Sequence, residues 1–303
     1  MKFLLGLNWI KSLGLSIAVF VLYRILSKNF ANFKEYRDIV LCVIALFLII
    51  RFLAETPQGL ERFRVAKGNK RGLGTLFMAF LPNEISAFLR FQSTLLVSFF
   101  SWLKGKKYSP EIQEGIKIEI AKKSEYGTIF IIGMLCLFVD IPICVLIASV
   151  QVPDPHQRAI IHIVVLSLSA YILMLGLGDR WKMKGSFHLL TDAMLHLRVA
   201  DRVLVDIYVE SISKAEFFSQ DIEKWSKETK GSSDNYLIVR PCINFDKPNL
   251  LVQVDIDSKS KTLVRCVDRK TPSYFLIYVD DPNTAINLIN AKLKSRSLIP
   301  RAC

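Results

Sequence analysis

The sequence predicts a membrane α-helical protein, with four transmembrane helices in two hairpins, followed by a C-terminal α+β domain built as a small β-barrel capped by a helix. Three observations predict it. The apolar blocks Ile129–Val150 and Ala159–Gly178 are each about 20 residues long, enough for a helix to cross the ~30 Å hydrocarbon layer. The first 54 residues hold two further apolar runs. From Phe187 onward, hydrophobicity stops being continuous and starts to alternate, the period of a half-buried strand.

Composition agrees with a mixed protein. Of 303 residues 51% are hydrophobic, too many for an ordinary soluble enzyme, while 22% are charged, too many for a chain that is all membrane. The formal charge of +13 is read first as topological, since Lys and Arg collect on the cytoplasmic side of membrane proteins. The six cysteines are scattered without CxxC or Cys/His zinc spacing, and read as reduced structural thiols.

The domain reading is 1–54, an N-terminal transmembrane hairpin; 55–126, a basic cytoplasmic segment with an amphipathic helix; 127–179, a second hairpin; and 180–303, a cytoplasmic module. The first span runs from near Phe3 to Leu26 and is cleanest over Leu13–Leu26. It reads as a retained anchor rather than a signal peptide, because no small-x-small cleavage site follows. The second span is Ile39–Ala54. Leu81–Leu103 repeats apolar residues at three- and four-residue steps (Ile85, Phe88, Leu89, Leu95, Leu96, Phe99), with Asn83 as its cap. Arg90 and Gln92 interrupt it, so it reads as a helix in the membrane interface or packed against the bundle, with a fifth span as the rival.

In the third and fourth spans the eight-residue connection Gln151–Arg158 holds Pro153 and Pro155 and is a short turn. Residues 52–126 carry twelve Lys/Arg against seven Glu, and Arg180, Lys182 and Lys184 directly follow the last span. Positive-inside logic then puts both termini in the cytoplasm and the Pro153–Pro155 turn outside. Lys28, Lys34 and Arg37, in the connection this leaves outside, run against the rule.

In the C-terminal module Leu195, Leu197 and Val199 alternate with polar residues, as do Val203, Val205, Ile207 and Val209. Leu250, Val252, Val254 and Ile256 continue the pattern, then Phe275, Ile277 and Val279. Thr191–Ala193 and Ala200–Asp201 are turn-sized, so the first three strands form a meander. Asp281-Pro282 starts a helix, with Asp as N-cap and Pro at the first position, and with Ile286, Ile289 and Leu293 as its stripe. Ser213–Ser233, polar apart from Trp225, reads as an excursion or linker. Six or so strands closed by one helix describe a barrel of pleckstrin-homology (PH) type.

The run from Tyr126 through Ile212 resembles uncharacterised bacterial multi-spanning membrane proteins with a C-terminal PH-like domain. The likeness lies in the order of Asp140-Ile141-Pro142, Gly178-Asp179-Arg180, His188-Leu189-Leu190-Thr191-Asp192 and Leu195-His196-Leu197-Arg198-Val199. Pro248-Asn249-Leu250-Leu251 and Val279-Asp280-Asp281-Pro282 follow. The resemblance implies the architecture and a bacterial inner-membrane location, and covers about two thirds of the chain. Where such proteins often carry Phe-Thr-Tyr-His before the third span, this chain has Ile116–Ile120, so no role for that His carries over.

Asp140 is the first candidate for chemistry. An ionisable group mid-span costs at least ~2.5 kcal/mol unless paired or hydrated. It lies about 11 residues, roughly 17 Å, from the external turn, level with Ser167 and Ser169 on the returning helix. A hydrogen-bonded bundle residue is favoured over a proton relay or transport group. Asp154, His156 and His162 lack a fourth metal ligand and read as a polar turn; His188 and His196 read as solvent-facing strand residues. Lys67, Lys70, Arg71, Lys104, Lys106, Lys107, Arg180, Lys182 and Lys184 are lipid-headgroup candidates, at about 1 kcal/mol per basic side chain near an anionic surface. No metal, cofactor or nucleic acid is expected, and no nucleophile–base constellation is visible. The functional expectation is a membrane-anchored scaffold or regulator whose PH-like domain binds a protein partner or lipid headgroups. The alternative is a small transporter or channel component using Asp140.

Overall fold

A computed structural model describes residues 9–29, 35–68, 73–108, 114–229, 235–255, 261–264, 267–269 and 271–297. Ile256, Lys70 and Arg71 lie outside them. The chain forms two compact units, Met1–Arg90 and Phe91–Cys303.

The first unit contains α1 (Trp9–Asn29), α2 (Arg37–Gly68), α3 (Leu73–Phe80) and the start of α4 (Asn83–Leu103). The apolar stretch of α1, Ser12–Ser27, is shorter than a full span, because Lys11 and Lys28 bracket it. The second span was expected to end at Ala54, yet α2 continues through Pro57 to Gly68. The residues after Ala54 are mostly good helix formers, and the helix carries Pro57 despite the hydrogen bond it removes and the clash of its ring with the carbonyl four residues earlier. Arg51 is buried in an ion pair with Glu55. Trp9 joins them, its indole Nε1 donating to Glu55 at 2.9 Å and its backbone N–H to Glu84 at 2.6 Å. A charge in an apolar helix is thereby paired and hydrogen-bonded. Asn83 is the first helical residue of α4 rather than its cap. Its side-chain oxygen accepts from Arg62, and the Pro82 carbonyl receives the Ser86 N–H at 2.9 Å.

The second unit continues α4, then runs β1 (Ile116–Glu119), α5 (Tyr126–Gln151), α6 (Pro155–Met183), β2 (Phe187–Leu190), β3 (Met194–Val199) and β4 (Val203–Tyr208). After a 3-10 turn come β5 (Ile212–Phe217), α7 (Ile222–Glu228), β6 (Tyr236–Val239), β7 (Leu250–Val254), β8 (Lys261–Val264), β9 (Val267–Arg269), β10 (Tyr274–Ile277) and α8 (Pro282–Ser297). Among the described residues three helices are long and apolar enough to cross a membrane: α2 over Arg37–Val65, α5 and α6. In the α5–α6 turn the Asp154 carboxylate accepts the His156 N–H at 3.0 Å, capping α6 with Pro155 at its first position. The amphipathic helix α4 packs on the C-terminal half of α6. Gln92 accepts from Tyr171, and a Cβ on Gly178 would stand 2.1 Å from the Leu95 carbonyl oxygen. That approach needs a glycine.

The strands form two sheets. One is six-stranded and antiparallel in the order β1-β2-β3-β4-β8-β9; the other has the order β5-β7-β10-β6, with β6 and β10 parallel. The predicted meander is present as β2-β3-β4. The first strand was not foreseen. β1 precedes α5 and pairs antiparallel with β2, which follows α6, with Ile116 opposite Leu190 and Glu119 opposite Phe187. The hairpin therefore leaves and re-enters the same sheet.

The main core unites both sheets and the cap, through Leu195, Leu197, Val205, Ile207, Val252, Phe275, Ile277 and Ile289, all 1% exposed or less. Asp281 caps α8 as expected, accepting from Thr284 N–H at 3.2 Å and Thr284 Oγ1 at 2.7 Å. Residues 213–229, expected as a linker, hold β5 and α7 instead. Trp225 is buried edge-on against Phe218, Tyr236 and Tyr274, at centroid distances of 5.4–5.8 Å. Short helices with one large aromatic resemble loops in sequence because their burial comes from neighbours distant in the chain.

Candidate functional site

The residues gathered where the hairpin joins the sheet form a connected polar cluster. Asp179, in the last turns of α6, is 7% exposed. Its carboxylate accepts the Tyr126 hydroxyl at 2.6 Å and the Arg202 guanidinium, whose Nε lies 3.2 Å away. Arg202 also donates through Nη1 to the Pro241 carbonyl at 2.8 Å and stacks over the Tyr126 ring at 5.2 Å. Its chain neighbour Asp201 makes the reciprocal ion pair with Lys182.

Two consecutive residues of the β3–β4 turn thus engage the last turns of α6 with opposite charges. Ala200 enters this turn at φ 45°, a left-handed conformation that costs a non-glycine residue about 1–2 kcal/mol. The Ser186 hydroxyl accepts the Ala200 N–H at 2.9 Å. Gly178-Asp179-Arg180, noticed first as a motif, therefore supplies the helix crossing and the anchor. Arg180 itself lies over the Phe130 ring at 4.6 Å.

The β1–α5 connection is fastened by two more carboxylates. Buried Asp246 accepts from Ser124 Oγ at 2.6 Å, Glu125 N–H at 2.9 Å and Cys242 N–H at 2.8 Å. Asp280 accepts the N–H groups of Lys122 and Lys123 at 2.9 and 3.0 Å. Tyr278 is close by, and burial, reinforced by Asp246 and Asp280, pushes its hydroxyl up to about 12.

Beside the hairpin base lies a groove of about 420 Å³ between α4, the segment after it, and the end of α6. Ser93, Thr94, Val97, Ser98 and Ser101 line it along α4, and Lys106, Lys107, Tyr108, Trp181 and Lys182 line its end. The Tyr108 and Trp181 rings meet edge-on at 5.0 Å, and Trp181 Nε1 donates to the Lys106 carbonyl at 3.0 Å. Of the headgroup candidates the structure brings Lys106, Lys107 and Lys182 together here. Lys67, Lys104 and Lys184 are exposed elsewhere. Lys182 comes 75 residues after the adjacent pair Lys106-Lys107, so only the α4–α6 packing could reveal the cluster.

Asp140 is not joined to the serines. It is exposed on α5, Ser167 is exposed and Ser169 is buried on α6, and among the described residues no hydrogen bond or ion pair engages Asp140. Counting residues places these groups level, but it does not fix which of them are exposed and which are buried. The histidine expectation also fails, since His188 and His196 are 1% and 7% exposed. His188 Nδ1 accepts the Arg198 N–H at 3.1 Å. Burial, opposed by the backbones of Tyr278 and Arg198, lowers its pKa to about 3, so it is neutral. His196 Nδ1 sits 2.7 Å from Asp206 Oδ1, its register partner across β3–β4, and Arg198 also engages that carboxylate. Burial alone would raise Asp206, but the His196 hydrogen bond and the Arg198 charge outweigh it and hold the carboxyl low. Their strands are covered on both faces, which the alternating pattern did not signal.

No group of three or more His, Cys, Asp or Glu side chains able to hold a metal occurs among the described residues. No family model, curated protein or solved structure matches the chain.

Proposed function

We propose that this chain is an integral protein of a bacterial cytoplasmic membrane, with four spans and both termini in the cytoplasm. Its α+β domain is a PH-like module acting as a membrane-anchored scaffold or regulator that binds lipid headgroups or a cytoplasmic protein. The observation that carries this reading is the paired lock at the hairpin base, Asp179 with Arg202 and Lys182 with Asp201. It fixes the sheets to a hairpin of membrane-spanning length, so that whatever the domain binds is met at the lipid surface. The meander, the second sheet and the capping helix support the PH-like assignment. The basic side chains Arg180, Lys182 and Lys184 at the end of α6 support the cytoplasmic side.

The test is extraction of the full chain in native-membrane nanodiscs, with the retained lipids and proteins identified by mass spectrometry. Enrichment of anionic lipid or of one cytoplasmic protein is expected, and should fall when residues after Lys184 are removed. Bulk lipid composition with no retained protein would refute the proposal.

A further inference from the structure

We propose that the groove between α4 and the end of α6 binds one anionic phospholipid, its phosphate held by Lys106, Lys107 and Lys182 and its glycerol and upper acyl segment lying along Ser93–Ser101. The inference rests on the membrane-anchored reading above and names the ligand class of one site within it.

Four features carry it. The groove is graded, with cationic and aromatic groups at one end and small hydroxyl and apolar side chains of α4 along its length. A phospholipid has the same grading, whereas a free anion would need charge alone. Secondly, two of the three charges are uncompensated among the described residues. Lys182 is paired with Asp201, but among the described residues no carboxylate pairs with exposed Lys106 or Lys107.

Thirdly, the end of the groove carries two aromatic side chains. Trp181 and Tyr108 lie where the apolar helix α6 ends, the level at which such rings collect in bilayers. Gln92, one residue before the groove begins, meets Tyr171, twelve residues before Met183. The hydroxyl-lined part therefore runs alongside α6. Fourthly, a donor is available. The Tyr108 hydroxyl has no partner among the described residues, and burial together with the Asp201 charge raises its pKa, so it keeps its proton. Its ring is fixed against Gly185, where a Cβ would stand 2.4 Å from Tyr108 Cδ1.

The experiment is native mass spectrometry of the full-length protein titrated with phosphatidylglycerol or phosphatidylcholine, with inorganic phosphate as competitor. Wild type should bind one phosphatidylglycerol in preference to phosphatidylcholine, and millimolar phosphate should not displace it. Lys106→Gln combined with Lys107→Gln should weaken that binding about 10- to 30-fold, from about a factor of five per lysine. Both side chains are exposed, so folding is retained. Lys184→Gln, basic and exposed but outside the groove, should change it less than twofold. Ser101→Leu, which fills the body of the groove without altering charge, should also lower it.

Equal losses from Lys184→Gln and the double variant would mean diffuse attraction to headgroups. That overturns the groove while leaving the broader headgroup reading standing. Displacement by phosphate, or indifference to Ser101→Leu, would identify a free-anion site and overturn the lipid. No preference for phosphatidylglycerol in wild type would overturn both the groove and the headgroup reading.

Discussion

Replacing Asp179 with alanine tests whether the domain is held to the hairpin by chemistry rather than by chain connection alone. The carboxylate accepts one hydroxyl and two guanidinium donors, and the Asp179 and Arg202 side chains are only 11% and 23% exposed. Removing one member of such a pair leaves the other charge desolvated with its partner gone, which costs about 3–5 kcal/mol for fully buried pairs. The residual exposure of Arg202 argues for the lower end, about 3 kcal/mol, or roughly a 150-fold increase in the opening equilibrium.

Hydrogen–deuterium exchange of the full chain in nanodiscs reads this directly. Amides of Met194–Val199 and Val203–Tyr208 sit on either side of the turn that carries Arg202 and should lose protection by that factor. Tyr126→Phe removes a single hydrogen bond of about 1 kcal/mol and should cost about fivefold. Protection in Asp179→Ala within twofold of wild type would refute the lock. So would equal effects of the two substitutions, since the ion pair would then add nothing.

Two other predictions follow from the same unit. His188 has a folded-state pKa of about 3 against about 6.5 unfolded, so between those values the unfolded chain binds the extra proton and stability falls as pH is lowered. The slope should be about 1.4 kcal/mol per pH unit from near pH 6 to near pH 4. Denaturant titrations of wild type and His188→Leu should differ by that slope, and parallel pH profiles would contradict it. Gly178→Ala would set a Cβ 2.1 Å from the Leu95 carbonyl oxygen, forcing α4 and α6 apart. A loss of about 1–3 kcal/mol in unfolding from detergent is expected, and a neutral result would show that the crossing yields without cost.

What could be read along the chain was whatever depends on local period. The α5–α6 hairpin, its Asp154-Pro155 turn, the β2-β3-β4 meander and the Asp281 cap were all legible, because each is set by residues within a few positions of one another. A strand of four residues is not legible in this way. Ile116–Glu119 acquires its partner only after some 65 intervening residues return through the hairpin, and no alternation that short identifies a strand. Trp225 looked isolated for the same reason, since its three aromatic neighbours come from other elements.

The candidate site divides along the same line. Lysine content after the last span and in 55–126 was visible as charge, and the amino-acid sequence alone determined that this charge flanks helices of membrane length. Which lysines share a groove, and which carboxylates neutralise their neighbours, was decided by the tertiary structure. Side-chain direction depends on helix rotation and on the close approach that Gly178 permits, and those are settled by packing between residues far apart in the chain. Asp140 is the clearest instance. Its depth along α5 followed from counting residues, but that it is exposed while Ser169 is buried did not.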